Sequence, residues 1–329
     1  MKQKRSVPLF MISNLNVVST ISLTIALVCV FVSRNNQFLS LGNIFNLIQQ
    51  NAALIVVAVG MTFVVISGNM DLSSGSLIVL TACITGIIYS ETGNIWISLF
   101  ACVLASTFIG MINGLLIAYL RINAVIVTLS CMIWARGLAL GITGASSISI
   151  PSKLLSAIYR PFAFGFINIS VCIVLFVLVL GWFLLTQTKF GRYTKAIGES
   201  EKATDLAGIN TKMIKWIIFT LAAFLTGIAS VVDLARLGSA VTTIGANMEM
   251  NAIVAVVIGG NRLSGGEGSF SKTITGLMFM CVLSNGLSTL AVTDDKLYLI
   301  KGIIILGALA VQMVCNIYRI NYLKRFNEN

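Results

Sequence analysis

Acid–base, nucleophilic and metal chemistry draw on histidines, paired carboxylates and activated thiols, and this chain holds almost none of them. Its 329 residues include no histidine and 11 acids. The seven cysteines (Cys29, Cys83, Cys102, Cys131, Cys172, Cys281 and Cys315) sit inside or at the ends of apolar runs, and none forms a C-x-x-C pair. They read as small buried hydrophobes, not as disulfides or metal ligands. One stretch imitates a phosphate cradle. From Gly266 the chain reads G-E-G-S-F-S-K-T, with Ser271 where a P-loop needs its second glycine. A P-loop also needs a preceding strand and a soluble α/β core, so the stretch reads as a Gly-rich loop between helices. No enzyme activity and no cofactor are expected from these residues.

The remaining charges fall into two groups. The first lies within apolar surroundings: Asp71, Arg136, Asp233, Arg236 and Glu249. Ionisable groups at membrane depth are costly and mark either a solute path or a packing bond. Asp233 and Arg236 are three apart, share a helix face and can pair. Asp71 is followed by Ser73, Ser74 and Ser76 where a new helix opens. A helix cap and a substrate contact both fit it. Phe63, Asn69, Asp71 and Ser73, in "GMTFVVISGNMDLSSGS", are the candidate lining of a translocation path.

The second group is concentrated in "GRYTKAIGESEKATDLAGINTK", residues 191–212, which carries Arg192, Lys195, Lys202 and Lys212 with Glu199, Glu201 and Asp205. Ser200 can cap a helix, Glu201 suits its first turn, and Gly208 suits the residue beyond its last turn. The two turns between them present Ala203, Leu206 and Ala207 as a small apolar face. A helix that docks into a partner and a solvated loop that only fixes topology both fit this composition.

The elements that must hold these residues are membrane helices. Hydrophobic residues make up 57% of the chain and charged residues 10%, against about 25% charged in a soluble domain. The whole chain, 1–329, reads as one transmembrane domain, all-α and polytopic. About ten candidate spans cover roughly residues 15–33, 46–67, 74–90, 94–120, 124–143, 165–187, 213–235, 247–260, 272–292 and 297–317, each crossing needing about 20 residues. The eighth, "MNAIVAVVIGG", is only about 16 Å long as a helix, so polar residues from 245 onward must complete its crossing. The first apolar run lacks a small-residue cleavage site and reads as an uncleaved helix.

The net charge of +11 follows topology rather than nucleic-acid binding. With the N-terminus inside, ten crossings put Lys2, Lys4, Arg5, Arg121, Lys189, Arg192, Lys195, Lys202, Lys212, Lys215, Arg262, Lys272, Arg319, Lys324 and Arg325 inside. Only Arg34, Lys153, Arg160, Arg236, Lys296 and Lys301 fall outside. This bias satisfies the positive-inside rule and predicts N-in/C-in. The loop 188–212 is then cytoplasmic, and 144–164, which holds Pro151 and Pro161, is outer and should contain a short amphipathic element. Two further patterns concern packing. "GMING" (110–114) and "GLALG" (137–141) have the spacing that lets helices approach closely. "GNMDLSSGS" and "GNRLSGGEGS" echo one another as Gly-rich breaks between apolar spans.

Four stretches together resemble the permease subunits of ribose-type (monosaccharide) ABC importers. They are "GMTFVVISGNMDLSSGS", "VTLSCMIWARGLA", "FGRYTKAIGESEKATDLAGI" and "EMNAIVAVVIGGNRLSGGEGS", in the family's order and spread over most of the chain. The resemblance implies a bacterial inner-membrane permease fold of about ten helices, a second permease copy or paralogue, a cytoplasmic ABC ATPase that binds the ATP, and an extracytoplasmic sugar-binding protein. It also implies that the 188–212 loop supplies a coupling helix, with Gly198, Glu201, Ala203, Leu206 and Gly208 at the matching positions. The chain departs from the pattern at Asn69 and Met70 (usually Gly-Ile), at Asn251 (usually Asp) and at Arg262 (usually neutral). The alternative function is an ion-coupled secondary transporter of a small polar solute. That class keeps carboxylates deep in its spans, whereas most acids here lie at boundaries.

Overall fold

The computed structural model describes residues 15–162, 167–290 and 294–327, and these form helices with one small exception. Helices α1 (Leu15–Arg34), α2 (Leu41–Gln50), α3 (Ala52–Ile66), α4 (Ser74–Thr92), α5 (Ile95–Ala118) and α6 (Ala124–Thr143) come first. A two-residue strand β1 (Ile148–Ser149) precedes α7 (Lys153–Tyr159), α8 (Ile169–Gln187), α9 (Lys189–Glu199), α10 (Glu201–Leu206) and α11 (Thr211–Leu237). Strand β2 (Ser239–Ala240), α12 (Met248–Ile258), α13 (Phe270–Thr289) and α14 (Asp294–Asn327) complete the chain. Lys2, Lys4, Arg5 and loop residues 163 and 164 lie outside the described residues, as do the side chains of Arg319, Lys324 and Arg325.

Among the described residues, six helices are long and apolar enough to cross a membrane: α1, α4, α5, α6, α8 and α11. The pair α2 and α3, bent by 55°, makes a seventh. The other expected spans fall short for visible reasons. Helix α12 has 11 residues, α13 is diluted by Ser, Thr and Asn285, and the apolar part of α14 is Leu299–Cys315.

Local chemistry sets the ends of these helices. Asn94, Asn123 and Asn168 accept hydrogen bonds from the free N–H groups of α5, α6 and α8. Gly93, Gly144 and Gly238 close α4, α6 and α11 in the left-handed conformation that glycine adopts without strain. The short element expected within 144–164 is α7, capped by Ser152, with Leu155 buried and Leu154 exposed.

Helix α3 is the axis of the fold, with every residue from Ala52 to Ile66 buried. Helices α8, α11 and α12 pack around it. Close approach comes from small residues, as it must where lipid gives no hydrophobic drive between helices. Gly110 abuts Ala223, Gly114 meets Trp216 and Phe219, and Gly60 faces Ala222. Hydroxyls bridge helices as well: Ser106 Oγ donates to the Ala223 carbonyl (2.6 Å) and Ser230 Oγ to that of Ile78 (3.2 Å). The "GMING" expectation therefore holds. The "GLALG" one does not hold among the described residues, because Gly137 and Gly141 have nothing within 4 Å there and lie on an open flank of α6.

Two helices begin inside the bundle. One face of the molecule gathers segments 67–73, 188–210 and 259–269. The opposite face carries the antiparallel β1–β2 ribbon, Ile148 opposite Ala240 and Ser149 opposite Ser239. From the first face the non-helical leg 67–73 climbs to the first turn of α4. From the ribbon face the turns over 241–247 descend to the first turn of α12. The two first turns meet where Glu249 touches Gly75 and accepts its backbone N–H. The short eighth segment is thus a half-helix of 11 residues, α12, preceded by turns.

Replacing Gly110 by Ala should lower stability by about 1–3 kcal/mol, because the new methyl overlaps Ala223. Gly137→Ala, in open space, should be neutral or stabilising by up to about 1 kcal/mol through helix propensity. Thermal denaturation of the two variants in detergent checks the contrast; equal losses would contradict this packing.

Candidate functional site

Residues 188–210 fold as two consecutive helices. Thr188 caps α9, accepting from Gly191 N–H. Ser200 ends α9 and caps α10, its Oγ accepting from Ala203 N–H at 3.2 Å. Gly208 follows α10 with φ +82, as its position in the sequence predicts. Helix α10 is held from one side. Thr204 is buried and its hydroxyl donates to the Ser200 carbonyl (2.8 Å). Glu201 pairs with Lys215 at 2.9 Å, and Thr211 Oγ1 donates to Asp205 at 3.3 Å. The other side is open: Ala203, Leu206 and Ala207 are exposed, Leu206 to 82%.

Just before α10, Gly198 sits where no side chain fits. A Cβ there would overlap the Ile66 carbonyl at the end of α3 and the Gly266 backbone nitrogen. Those two groups are themselves bonded, Gly266 N–H donating to Ile66 O at 3.0 Å. Gly265 packs on Gly68 in turn. The two echoing Gly-rich breaks and the loop ahead of α10 therefore converge on one junction. Asn261 fixes it from within: Nδ2 donates to the Val256 carbonyl and to Thr273 Oγ1, and Oδ1 accepts from Ser269 N–H. Thr273 is bonded in turn to Thr62 of α3 at 3.0 Å. The P-loop-like stretch is spent on this junction, with Gly266 N–H on α3, Ser269 capping α13 and Phe270 buried.

The candidate path residues do not form one lining. Phe63 is fully buried, its ring 5.6 Å from that of Phe190 in α9. Asp71 is buried and accepts from Ser73 N–H (2.8 Å) and Ser73 Oγ (2.6 Å), and Ser73 is buried beside it. That is the helix-entry role, with the pair closing the turn that starts α4. Asn69 alone reaches open space. Its amide donates to Ser67, and it lines a cavity of about 650 Å³ together with Met70, Arg121, Val125, Glu201 and Lys215. The cavity is therefore shared by the base of the α3–α4 leg, the start of α6 and the base of α10. Arg121 turns the chain into it with φ 56. Asp233 and Arg236 pair as expected, at 3.2 Å.

Sequence reasoning missed Thr204, Lys215 and Asn261. Ser200 and Thr204 at i, i+4 gave a local signal for the first. The other two act across the fold, where spacing carries no signal.

Residues 43–309 match the family described as branched-chain amino acid transport system / permease component. The chain belongs to this permease family. It is 33% identical over 290 residues to the ribose import permease protein RbsC of Escherichia coli K12, which covers 87% of this chain and 90% of that protein. It is 38% identical over 280 residues to RbsC of Bacillus subtilis 168 (83% and 85%), and 33% identical over 255 residues to the L-arabinose transport system permease protein AraH of Escherichia coli K12 (77% and 77%). No solved structure matches. The permease is thus an integral inner-membrane transport component of an ABC importer and not a catalytic subunit. In such systems it works with an ATPase and a substrate-binding protein.

Two glycines of the permease separate steric from conformational demand. Gly198→Ala should cost about 1–3 kcal/mol because backbone atoms block the methyl. Gly208→Asn should cost under about 1 kcal/mol, since Asn tolerates the left-handed region and Gly208 has nothing within 4 Å. Melting temperatures of the purified variants test this; a Gly198→Ala protein as stable as wild type would refute the junction.

Proposed function

We propose that this permease forms the translocation path for a monosaccharide of the ribose type, driven by ATP bound and hydrolysed on a separate cytoplasmic ATPase. The names of the relatives, ribose and L-arabinose among them and xylose for a third, favour a pentose-like sugar over an amino acid. An extracytoplasmic sugar-binding protein delivers it, and a second permease, copy or paralogue, completes the path. The whole chain acts as one transmembrane domain.

The observation that carries this reading is α10. A leucine exposed to 82% on a capped two-turn helix, anchored from behind by Thr204 and the Glu201–Lys215 pair, is a docking knob. Ala203, Leu206 and Ala207 make its contact face. Gly198 and Gly208 hold its two ends, and Glu201 fixes its roll. Asn69 meets the solute at the cavity mouth, while Phe63, Asp71 and Ser73 support the path from behind.

Ten crossings follow when the bent α2–α3 pair, the α4 leg and the half-helix α12 each count as one. Several contacts support N-in/C-in. The start of α1 lies at the junction face, Asn16 against Gly260. Helix α14 reaches the same face, with Gln312 bonded to the Ile258 carbonyl at the end of α12. Arg121, Arg192, Lys195, Lys202, Lys212 and Arg262 also belong to that face, as cytoplasmic loops require.

Ala203→Arg should leave the protein inserted but break coupling, because a docked α10 would desolvate an unpaired charge. Lys202→Ala should do far less. The measurement is ATPase stimulation by loaded binding protein together with co-purification of the ATPase; retention of both in Ala203→Arg would mean α10 is not the coupling helix. For topology, a single cysteine at position 325 should be labelled by an impermeant thiol reagent in inverted vesicles and not in intact cells, and the opposite pattern would reverse the orientation.

A further inference from the structure

Arg136 is left unexplained by packing. It lies on α6, a candidate span, about 18 Å from Ala124 at the cavity end and about 10 Å from Thr143 at the other, at 1.5 Å per residue. It is half-buried, and among the described residues it makes neither a hydrogen bond nor an ion pair. A guanidinium facing acyl chains at that depth would be costly. Snorkelling offers poor relief. Helical side chains point towards the helix N-terminus, which for α6 means away from its nearer end and towards the cavity.

Helix α6 rests on α4 and α5, with Cys131, Ala135 and Ala139 as its buried centre. Arg136 lies on the flank beside that centre. Val125, Leu129, Met132 and Arg136 follow the i, i+4, i+7, i+11 spacing of a single stripe, and Val125 at its foot lines the 650 Å³ cavity with Asn69 and Met70. Arg136 thus shares a helix face with a residue of the cavity wall, 11 residues further along α6. Within electrostatic reach of Arg136 stands Glu249, buried at the meeting of α12 with α4 and held by Gly75 N–H. The free groups of a guanidinium are N–H donors.

We propose that Arg136 is a solute contact on the water-lined flank of α6, donating hydrogen bonds to the hydroxyl oxygens of a neutral polyhydroxy solute as it crosses. The proposal rests on the transport reading above and adds to it the residue and the chemistry of the contact.

The test uses the complete transporter, permease with ATPase and binding protein, in a background whose seven native cysteines are replaced. Arg136→Cys is exposed to a charged, membrane-impermeant methanethiosulfonate in cells and in inverted vesicles. It should react at least about tenfold faster than Leu104→Cys on the apolar outer side of α5, because an apolar environment suppresses the reactive thiolate. Separately, Arg136→Gln should lower pentose uptake about tenfold at matched protein level, the loss of one charge-assisted hydrogen bond, and Arg136→Lys should recover part of it. If Arg136→Cys does not insert, Met132→Cys on the same stripe reads the accessibility. Labelling no faster than at Leu104→Cys, or wild-type uptake by Arg136→Gln, would overturn the proposal. A wild-type transporter that imports no monosaccharide while position 136 still reacts would instead remove the sugar reading and leave the water-lined flank standing.

Discussion

A bilayer supplies no water to an interrupted backbone, so every helix that starts or stops inside it must find its own hydrogen-bond partners. This chain starts two helices inside its bundle, and the contact between Glu249 and Gly75 joins their first turns. The positive end of each helix dipole then sees the same carboxylate. Asp71 performs a related service one turn earlier, closing the backbone at Ser73. Without these acids the N–H groups of Ser73 and Gly75 would be left unpaired in a low-dielectric interior, where each costs several kcal/mol. The two buried acids therefore have a structural role before any functional one, and the rest of the bundle is arranged around the interruptions they permit.

The second constraint is the absence of side chains at the junction. Gly68, Gly198, Gly265 and Gly266 bring three backbone segments into direct contact, with Asn261, Thr273 and Thr62 as the polar pins. Methyl groups would hold these segments apart, and longer side chains would give each freedom to slide on the next. Backbone-to-backbone contact makes the loop ahead of α10, the end of α3 and the start of α13 move together or not at all.

Composition and periodicity exposed the elements whose physics is local. The long apolar spans, the Ser200 cap, the Gly208 stop, the shortness of the eighth segment and the Asp233–Arg236 pair depend on neighbours within a few residues, and the sequence displays those neighbours. The convergence of Gly68, Gly198 and Gly266 was hidden because it joins residues far apart in the chain, although the echo between the two Gly-rich breaks hinted at it. Phe63, Asp71 and Ser73 looked like a path lining because polar and aromatic residues cluster there. Burial, which no spacing reveals, turns them inward and leaves Asn69 at the cavity. Gly137 and Gly141 carry the same spacing as Gly110 and Gly114 but meet nothing among the described residues. A small-residue pattern records a permitted approach, and only the fold says whether a partner takes it.

On the coupling role proposed for α10, these constraints set the route by which a push there would reach the proposed path. With α10 docked through Leu206, a displacement would pass through Ser200 and Gly198 into the carbonyl end of α3. Helix α3 is buried along its whole length, and close-packed interiors deform little, so it cannot absorb the motion by bending. The compliant element beside it is the non-helical leg 67–73, which bonds back to α3 only through its first three residues and borders the cavity through Asn69 and Met70. The same push would reach the loop 259–269, and through α12 the Glu249 end that meets α4. Both routes lead to the first turn of α4, one through the leg and one through the carboxylate. A packed interior responds to such a load by switching between discrete arrangements rather than by stretching, and the shared first turn is where two arrangements would differ most.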